Sequence, residues 1–264
     1  MCRLLKVTRS LVYYEPRPRK ADVIAENAVI EEFRSNYSAY GTRKLKKALK
    51  RRKNPLVVSR RLIGKVMKKY GLVSKYVARR KGSRKSRVNE DLKPNIVNRE
   101  FDGREILEVV VSDLTYVKVG GKWHYICLLL DLSAREIIGH AAGKRKDAKL
   151  VRTAFYRVKA DLRKVKVFHT DRGSEFKNEI IDGIISAFGI ERSLSAKGSP
   201  IDNAVAESMY NILKTEFTFL RNFDDLEDLE LELFDYVNWF NNIRLHGSLD
   251  YLTPSEYKFK LKKA

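Results

Sequence analysis

The sequence has few of the residues that build disulfide or zinc frameworks. Only 2 of its 264 residues are cysteine and 4 are histidine. Cys2 and Cys127 lie far apart, and neither a Cys-x-x-Cys nor a His-x-x-x-His spacing occurs. A disulfide framework and a Cys/His zinc module are therefore not supported. We expect reduced thiols that pack as small apolar side chains.

Long apolar runs are also missing. The longest run near the middle of the chain, residues 125–130, is closed by Asp131 and is far too short to span a bilayer. Residues 1–10 alternate basic and apolar side chains, without the apolar stretch or the small-residue cleavage site of a secretory signal. The sequence therefore predicts a cytoplasmic protein with no membrane partner.

Acidic residues are scarce in the first third of the chain. Residues 1–94 hold 28 of the 54 Lys and Arg but only 7 of the 33 Asp and Glu, so the whole net charge of +21 belongs to this region. A basic region joined to a neutral one is typical of a module that binds a polyanion, most often DNA or RNA. Solvated helix faces are the alternative explanation for such charge.

Apolar periodicity predicts three helices in the basic region. The first covers residues 22–36, the second is expected to be capped by Thr42, and the third is capped by Ser59 and ends near Gly71. Two short basic helices joined by a compact turn fit a helix-turn-helix motif with the third helix in the DNA groove. An ordinary helical hairpin with solubilising lysines is the alternative, but the cations on the docking helix favour DNA. The predicted DNA contacts are Arg43, Lys44, Arg60, Arg61, Lys65 and Lys68.

The composition changes after residue 74, which ends the basic helical region. Residues 75–100 carry many cations and few apolar side chains, which predicts a flexible linker able to follow a phosphate backbone. Residues 101–220 predict an α/β domain, because three hairpin-connected strands precede a helix-strand-helix-strand pattern. The expected fold is a mixed five-stranded sheet with flanking helices. Residues 221–264 predict a helical tail packed on this domain.

Three acids in the α/β domain are candidates for chemistry. Asp113 lies in the first predicted strand and Asp171 directly follows the fourth, predicted over residues 164–169, so the two can be neighbours in the sheet. Glu207 lies on the polar face of a later helix. Converging carboxylates repel one another unless a divalent cation joins them. Two Mg²⁺ ions roughly 4 Å apart activate an attacking hydroxyl and stabilise a leaving oxygen, which predicts phosphodiester cleavage or strand transfer.

Each acid taken alone has an ordinary explanation. Asp113 fits a polar residue on an exposed strand face, Asp171 a turn former, and Glu207 a surface helix residue. The three together favour a functional site. Weaker candidates for the same role are Asp131, Glu175 and Asp202.

The chain resembles the OrfB-type transposases of bacterial insertion sequences, whose catalytic domain is like that of retroviral integrases, the DDE group. Between Asp171 and Glu207 lie 35 residues, which is the spacing of this group. The resemblance covers nearly the whole chain. The matching stretches are residues 112–116, 169–176, 197–204, Glu207, 213–216, and a tail running from Tyr236 through Arg244, His246 and Pro254.

This resemblance implies a ribonuclease H-like fold preceded by a helix-turn-helix region. It also implies Mg²⁺ or Mn²⁺, as two ions, held by Asp113, Asp171 and Glu207, and the cutting and joining of DNA at the ends of a mobile element. Lys214 looks like a lysine that family members place near substrate DNA, and Arg244 in the tail could also reach DNA.

The resemblance also implies partners for this chain and leaves two alternative functions open. We expect a homo-oligomer on DNA in the bacterial nucleoid, acting on element ends and target, with an upstream-frame DNA-binding partner or as a fusion to it. A nuclease of the same fold that cuts without joining is one alternative. A DNA-binding regulator with an idle catalytic fold is the other.

Overall fold

The computed structural model describes part of the chain in two compact units, Met1–Ser74 and Lys75–Ala264. Residues 196–203, which include Asp202, lie outside the described residues, as do Cys2 and residues 79–100 of the predicted linker. The described residues are 8, 20–78, 104–195, 204–219 and 221–263.

Three mutually packed helices, as predicted, form the described part of the first unit. They are α1 (Lys20–Ser35), α2 (Thr42–Arg51) and α3 (Arg60–Lys69). Apolar stripes meet between them, because the spacing of the apolar residues places them on one face of each helix. The residues with no exposed surface in this core are Val29, Leu45, Leu49 and Ile63.

The ends of α2 and α3 test the predicted caps. The Ser59 side chain accepts a hydrogen bond from Leu62 N at 3.1 Å, and Gly71 has φ +62°, so both ends of α3 are as predicted. The prediction for Thr42 is wrong, because Gly41 occupies the N-cap and makes no side-chain cap bond. Thr42 is instead the first residue with helical geometry.

The second unit contains the predicted mixed sheet. Its strand order is β3-β2-β1-β4-β5, with β1–β2 and β2–β3 antiparallel and β1–β4 and β4–β5 parallel. The hairpin between the first two strands turns at Gly120 and Gly121, whose φ values of +50° and +79° favour glycine. The strands are β1 (Val109–Val119), β2 (Lys122–Asp131), β3 (Ile137–Gly143), β4 (Val167–Thr170) and β5 (Glu191–Leu194).

The fourth strand begins later than predicted. Residues Leu162–Lys164 form a short 3₁₀ turn, and the Asp161 carboxylate accepts from Arg163 N at 3.2 Å. A carboxylate that caps a turn competes with extended backbone. The strand therefore starts at Val167 rather than at residue 164.

Helices cover both faces of the sheet. On one face, α5 (Ala148–Tyr156) and α6 (Glu179–Ala187), capped by the side chains of Asp147 and Asn178, pack on a core that includes Phe155 and Phe168. On the other face lie α7 (Ala204–Leu213), α8 (Leu226–Asn242) and α9 (Pro254–Lys263). Helix α7 packs against β1, α8 packs against β3, and α9 packs against α8.

Two short segments of the second unit were not predicted. Lys75–Ala78, the beginning of the predicted linker, forms the four-residue helix α4. Lys214–Thr218 continues α7 as a π-helical turn. Among the residues that the structure describes, no helix is long and apolar enough to cross a membrane.

Candidate active site

Parallel pairing of β1 with β4 brings Asp113 and Asp171 to the same level of the sheet. Val111 is the register partner of His169, and each aspartate lies two residues further along its own chain. Neighbouring strands in a sheet lie about 5 Å apart. The two carboxylates are close enough for the charge of Asp171 to raise the pKa of Asp113.

Burial is the main influence on Asp113. It raises the pKa of the carboxyl to about 6, while the hydrogen bond from Leu114 N to Oδ1, 2.7 Å long, opposes the shift. The positive charges of Lys146 and Lys214 also lower the pKa of Asp113. A half-buried aspartate beside a second aspartate favours a bound cation, because a cation offsets both desolvation and repulsion.

Asp171 lies in a tight turn after β4. Its Oδ1 accepts from Gly173 N at 3.0 Å. A Cβ on residue 173 would lie 2.3 Å from Glu175 Oε1, so a larger residue at this position would require the Glu175 carboxylate to move. Glu175, one of the weaker candidates, is buried, and its Oε1 lies 2.8 Å from Lys146 Nζ. This ion pair fixes Lys146 beside the two aspartates.

Glu207 lies on α7, three residues before a tyrosine that joins this helix to the sheet. The Tyr210 hydroxyl accepts from Leu128 N at 2.8 Å and donates to the carbonyl oxygen of Asp113. Glu207 lies three residues earlier on this helix, beside the buried face formed by Ala206, Met209 and Tyr210. Its side chain is exposed, and partial burial raises the pKa of the carboxyl.

The described residues contain no group of three His, Cys, Asp or Glu side chains that could hold a metal ion. The structure thus brings Asp113 and Asp171 together and leaves Glu207 outside that pair. Two adjacent carboxylates still fit a divalent cation such as Mg²⁺, which prefers oxygen ligands and keeps several waters.

Two other polar residues near the aspartates have structural partners. Asp131 is buried and accepts backbone hydrogen bonds from Leu107 and Ala134, so it holds the chain around the β2–β3 turn. His169 is buried, and its Nδ1 lies 2.8 Å from Ser193 Oγ on β5. These contacts give Asp131 and His169 structural roles, and neither residue is part of the aspartate pair.

Lys214 lies beside the site. Its Nζ is 5.4 Å from the centre of the Tyr116 ring, and its charge lowers the pKa of Asp113. Sequence reasoning selected Lys214 but missed Lys146 and Tyr210. Lys146 had only its place in a run of three cations as a signal, and Tyr210 looked like one more residue on an amphipathic helix.

Arg244 requires a correction. The prediction that it reaches DNA is wrong, because its side chain is 3% exposed and its guanidinium donates to both carboxylate oxygens of Glu216, each at 2.8 Å. The Tyr76 hydroxyl of α4 donates to Glu216 Oε1 at 2.5 Å, and the Tyr236 hydroxyl donates to Oε2 at 3.2 Å. These partners enclose the guanidinium within the domain.

The cations predicted on the first unit lie at its surface. Lys44 is half-buried, with Nζ 5.3 Å from the centre of the Tyr40 ring. Apart from this residue, the predicted DNA contacts have exposed side chains. These are Arg43, Arg60, Arg61, Lys65 and Lys68.

Family profiles match both units of the chain. A profile described as an HTH-like domain matches residues 20–81. Two profiles, each described as an integrase core domain, match residues 103–200 and 207–261. Asp113 and Asp171 lie in the first integrase core match, and the second begins at Glu207.

Two insertion-sequence proteins are similar over most of their length. The transposase for insertion sequence element IS904 from Lactococcus lactis subsp. lactis (strain IL1403) is 29% identical over 251 residues, covering 92% of this chain and 97% of the relative. The putative transposase for insertion sequence element IS986/IS6110 from Mycobacterium tuberculosis (strain H37Rv) is 30% identical over 234 residues, covering 84% and 82%.

A solved structure supports the fold. A chain in the cryoEM structure of the simian T-cell lymphotropic virus intasome in complex with PP2A regulatory subunit B56 gamma superposes with a TM-score of 0.50. The match covers 88% of this chain and 73% of that chain at 13% identity, which shows a shared retroviral integrase-like, ribonuclease H-like fold. The matched profiles, the identity to IS986/IS6110 and this fold agree, and the chain belongs to the insertion-sequence transposases of the DDE, integrase-like group.

Proposed function

We propose that this chain cuts DNA at the ends of an insertion sequence and joins those ends to target DNA by metal-dependent phosphoryl transfer. The observation that carries the proposal is the Asp113–Asp171 pair, in which Asp113 lies within β1 and Asp171 directly follows the neighbouring parallel strand β4. Glu207, on the helix that Tyr210 joins to Asp113, is the proposed third ligand. Because Glu207 stands outside the aspartate pair, we expect the site to be completed when metal and DNA bind.

Mg²⁺ or Mn²⁺, as two ions, would supply an activated hydroxyl and a stabilised leaving oxygen. The protein's own residues hold and orient the reacting groups. Asp113 and Asp171 would hold the cations, and the ion pair with Glu175 keeps Lys146 beside them. Lys214 offers a second positive charge for a DNA phosphate.

The first unit is the proposed DNA-recognition part. We place α3 in the major groove, with Arg60, Arg61, Lys65 and Lys68 directed at bases or phosphates, and Arg43 and Lys44 of α2 at the backbone. The proposed partners are element ends and target DNA, other copies of this chain, and an upstream-frame DNA-binding protein or fusion. The proposed place of action is the bacterial nucleoid.

Strand transfer with labelled element ends tests the proposal. The wild-type chain with Mg²⁺ is expected to give both cleaved ends and joined product. Asp171→Asn removes a ligand charge without changing shape and is expected to abolish both products. Asp235→Asn, an equal change at an exposed position on α8, serves as the control.

Three outcomes separate the alternatives. Cleavage without joined product would indicate a nuclease of the same fold. DNA binding without cleavage in the wild type would indicate a regulator with an idle catalytic fold. Full activity of Asp171→Asn would show that the metal ligands are assigned incorrectly.

A further inference from the structure

The β1–β2 hairpin carries an exposed pair of aromatic side chains next to the aspartates. Tyr116 is 55% exposed and Trp123 is 53% exposed, and their ring centres lie 5.0 Å apart at an angle of 88°. Leaving about half of two large aromatic side chains in contact with water is unfavourable, because burial of an aromatic ring contributes strongly to stability. A ligand that covers them would recover this energy.

Cations flank both rings. Lys118, the register partner of Trp123, places its Nζ 5.3 Å from the centre of the Trp123 ring. Lys214 Nζ lies 5.4 Å from the centre of the Tyr116 ring. Exposed aromatic rings interleaved with lysines are the arrangement that binds single-stranded nucleic acid, since bases stack on the rings and the lysines meet the phosphates.

The hairpin is held in place. Gly120 N donates to Phe223 O at 3.0 Å, which ties the turn to the segment before α8. Gly120 has φ +50°, and a Cβ at this position would lie 3.0 Å from Asp224 O, so glycine permits this close approach. The two rings therefore sit on anchored backbone, which lowers the entropy that a ligand must remove on binding.

Strand geometry sets the distance to the active site. Tyr116 follows Asp113 by three residues on β1, or about 10 Å along an extended strand, and the alternation of side chains places the two on opposite faces of the sheet. In duplex DNA one strand rises about 3.4 Å per nucleotide, so three nucleotides span about 10 Å and the aromatic pair lies within a few nucleotides of the aspartates. Lys214 links the two places, because it contacts the Tyr116 ring and its charge acts on Asp113.

We propose that Tyr116 and Trp123 form a stacking site for an unpaired base of the substrate DNA, within about three nucleotides of the phosphate that reacts. Lys118 and Lys214 contact the phosphates beside that base. The inference rests on the proposed function for the identity of the DNA. The stacking itself requires neither metal nor cleavage.

Tryptophan fluorescence tests this site directly. The chain has two tryptophans, and Trp239 is buried at 5% exposure, so a stacked base quenches mainly Trp123. The full-length Asp171→Asn protein is titrated, without metal, with a thymidine oligonucleotide and with an abasic oligonucleotide of equal length. Salt of about 0.2 M weakens the phosphate contacts made elsewhere on the basic chain.

We expect quenching by the thymidine oligonucleotide, little quenching by the abasic one, and none when Trp123→Ala is added. Trp123→Ala and Tyr116→Ala are each expected to weaken binding of the thymidine oligonucleotide roughly tenfold. Tyr156→Ala is the matched control, because Tyr156 is 74% exposed with the Arg152 guanidinium 5.7 Å from its ring centre, at the end of α5. The affinity of the Tyr156→Ala protein for the thymidine oligonucleotide is expected to stay unchanged.

The proposal is overturned if intact and abasic oligonucleotides bind and quench alike, or if Tyr156→Ala weakens binding as much as Trp123→Ala. Failure of the proposed transposase function has a different signature. In that case stacking persists in the fluorescence assay while the wild-type chain with Mg²⁺ yields no cleaved or joined DNA.

Discussion

Arg244 and Glu216 form a buried ion pair in which the guanidinium Nε and Nη2 donate to Oε2 and Oε1, each at 2.8 Å. Glu216 has no exposed surface and lies in the π-helical turn that follows α7. Lys75 Nζ donates to Glu216 O at 2.9 Å, so α4 closes over the same pair. The ion pair therefore joins three separate segments of the second unit.

Arg244→Met is expected to destabilise this unit by about 3–5 kcal/mol, because it leaves Glu216 buried without its counter-charge. Denaturant unfolding measures the loss. The double variant Arg244→Met/Glu216→Leu is expected to lose less than the sum of the single variants. Arg163→Met, which breaks the exposed pair with Asp161 at 2.9 Å, is the control and should leave the midpoint of unfolding nearly unchanged, because solvent screens an exposed ion pair.

Metal binding without DNA is expected to depend on the aspartates more than on Glu207. Saturating Mn²⁺ at about 100 times its Kd should stabilise the wild-type chain by about 2.7 kcal/mol. Asp113→Asn and Asp171→Asn should each abolish this gain, while Glu207→Gln should keep most of it, since Glu207 lies outside the described pair. Thermal unfolding with and without Mn²⁺ provides the measurement.

Strand transfer should respond differently from metal binding. All three variants are expected to lose activity, because the proposed third ligand is needed once DNA is bound. Equal loss of Mn²⁺ stabilisation in Glu207→Gln and Asp171→Asn would contradict the prediction and would show that the three acids are assembled before DNA binds.

The Tyr210 hydroxyl is expected to stabilise the junction between α7 and β1. Tyr210→Phe leaves Leu128 N and Asp113 O without this bridge, which should cost about 1–3 kcal/mol. The same variant should reduce strand transfer, because the bridge connects the helix of Glu207 to Asp113. Tyr156→Phe removes an exposed hydroxyl and serves as control, and comparable losses in both variants would refute the prediction.

The cations of α3 are expected to bind DNA through phosphates. Each lost phosphate contact lowers the slope of log K against log salt by about 0.9. Lys65→Gln/Lys68→Gln should therefore reduce the slope by about 1.8 on duplex DNA, as measured by fluorescence anisotropy. Lys164→Gln, an exposed position next to β4, should leave it unchanged. An unaltered slope in the double variant would remove these lysines from the interface.

His140 is expected to make stability sensitive to acid. Burial first, and then the charge of Arg157, lower the pKa of this imidazole to about 4. Its cavity is also lined by Glu136, Lys159 and Lys258. The unfolded chain binds a proton at about pH 6.5 while the folded chain does not until about pH 4, so stability is lost as pH falls through this window.

Melting temperatures at about pH 7.5 and about pH 5 measure this effect. His140→Gln cannot titrate and should lose less stability between the two conditions than the wild type. An equal loss in both proteins would assign the acid sensitivity to other groups.

Local patterns were enough to predict much of the fold. The helix of Ser59, the hairpin at Gly120 and Gly121, and the helix starts at Asp147 and Asn178 each depend on a few neighbouring residues. The prediction that Thr42 caps α2 was wrong because Gly41, which has no side chain to make a cap bond, occupies the N-cap position. The π-helical turn at Lys214–Thr218 was missed because the Glu216–Arg244 contact joins residues far apart in sequence.

The candidate site, like the fold, has residues that local patterns predicted and residues that they missed. An acid within a β-branched strand and an acid in the turn after a second strand were enough to select Asp113 and Asp171 as candidates and to suggest that they are neighbours. Lys146 carries no local signal, since its role beside the aspartates depends on the ion pair with Glu175. Arg244 was misassigned because the sequence of the tail does not show whether its guanidinium contacts DNA or a buried carboxylate.

The sequence by itself determined the basic first third, the order of strands and helices, and the three acids of the DDE spacing. The charge and the order of the elements depend on composition and short-range periodicity, which each segment carries with it, whereas the spacing of the acids gained its meaning from the resemblance to the DDE group. Only the tertiary structure decided that Asp113 and Asp171 meet, that Arg244 is sealed against Glu216, and that Tyr116 and Trp123 face water beside the site. Contacts between distant segments decide burial, and burial decides which charged or aromatic side chain remains available to DNA.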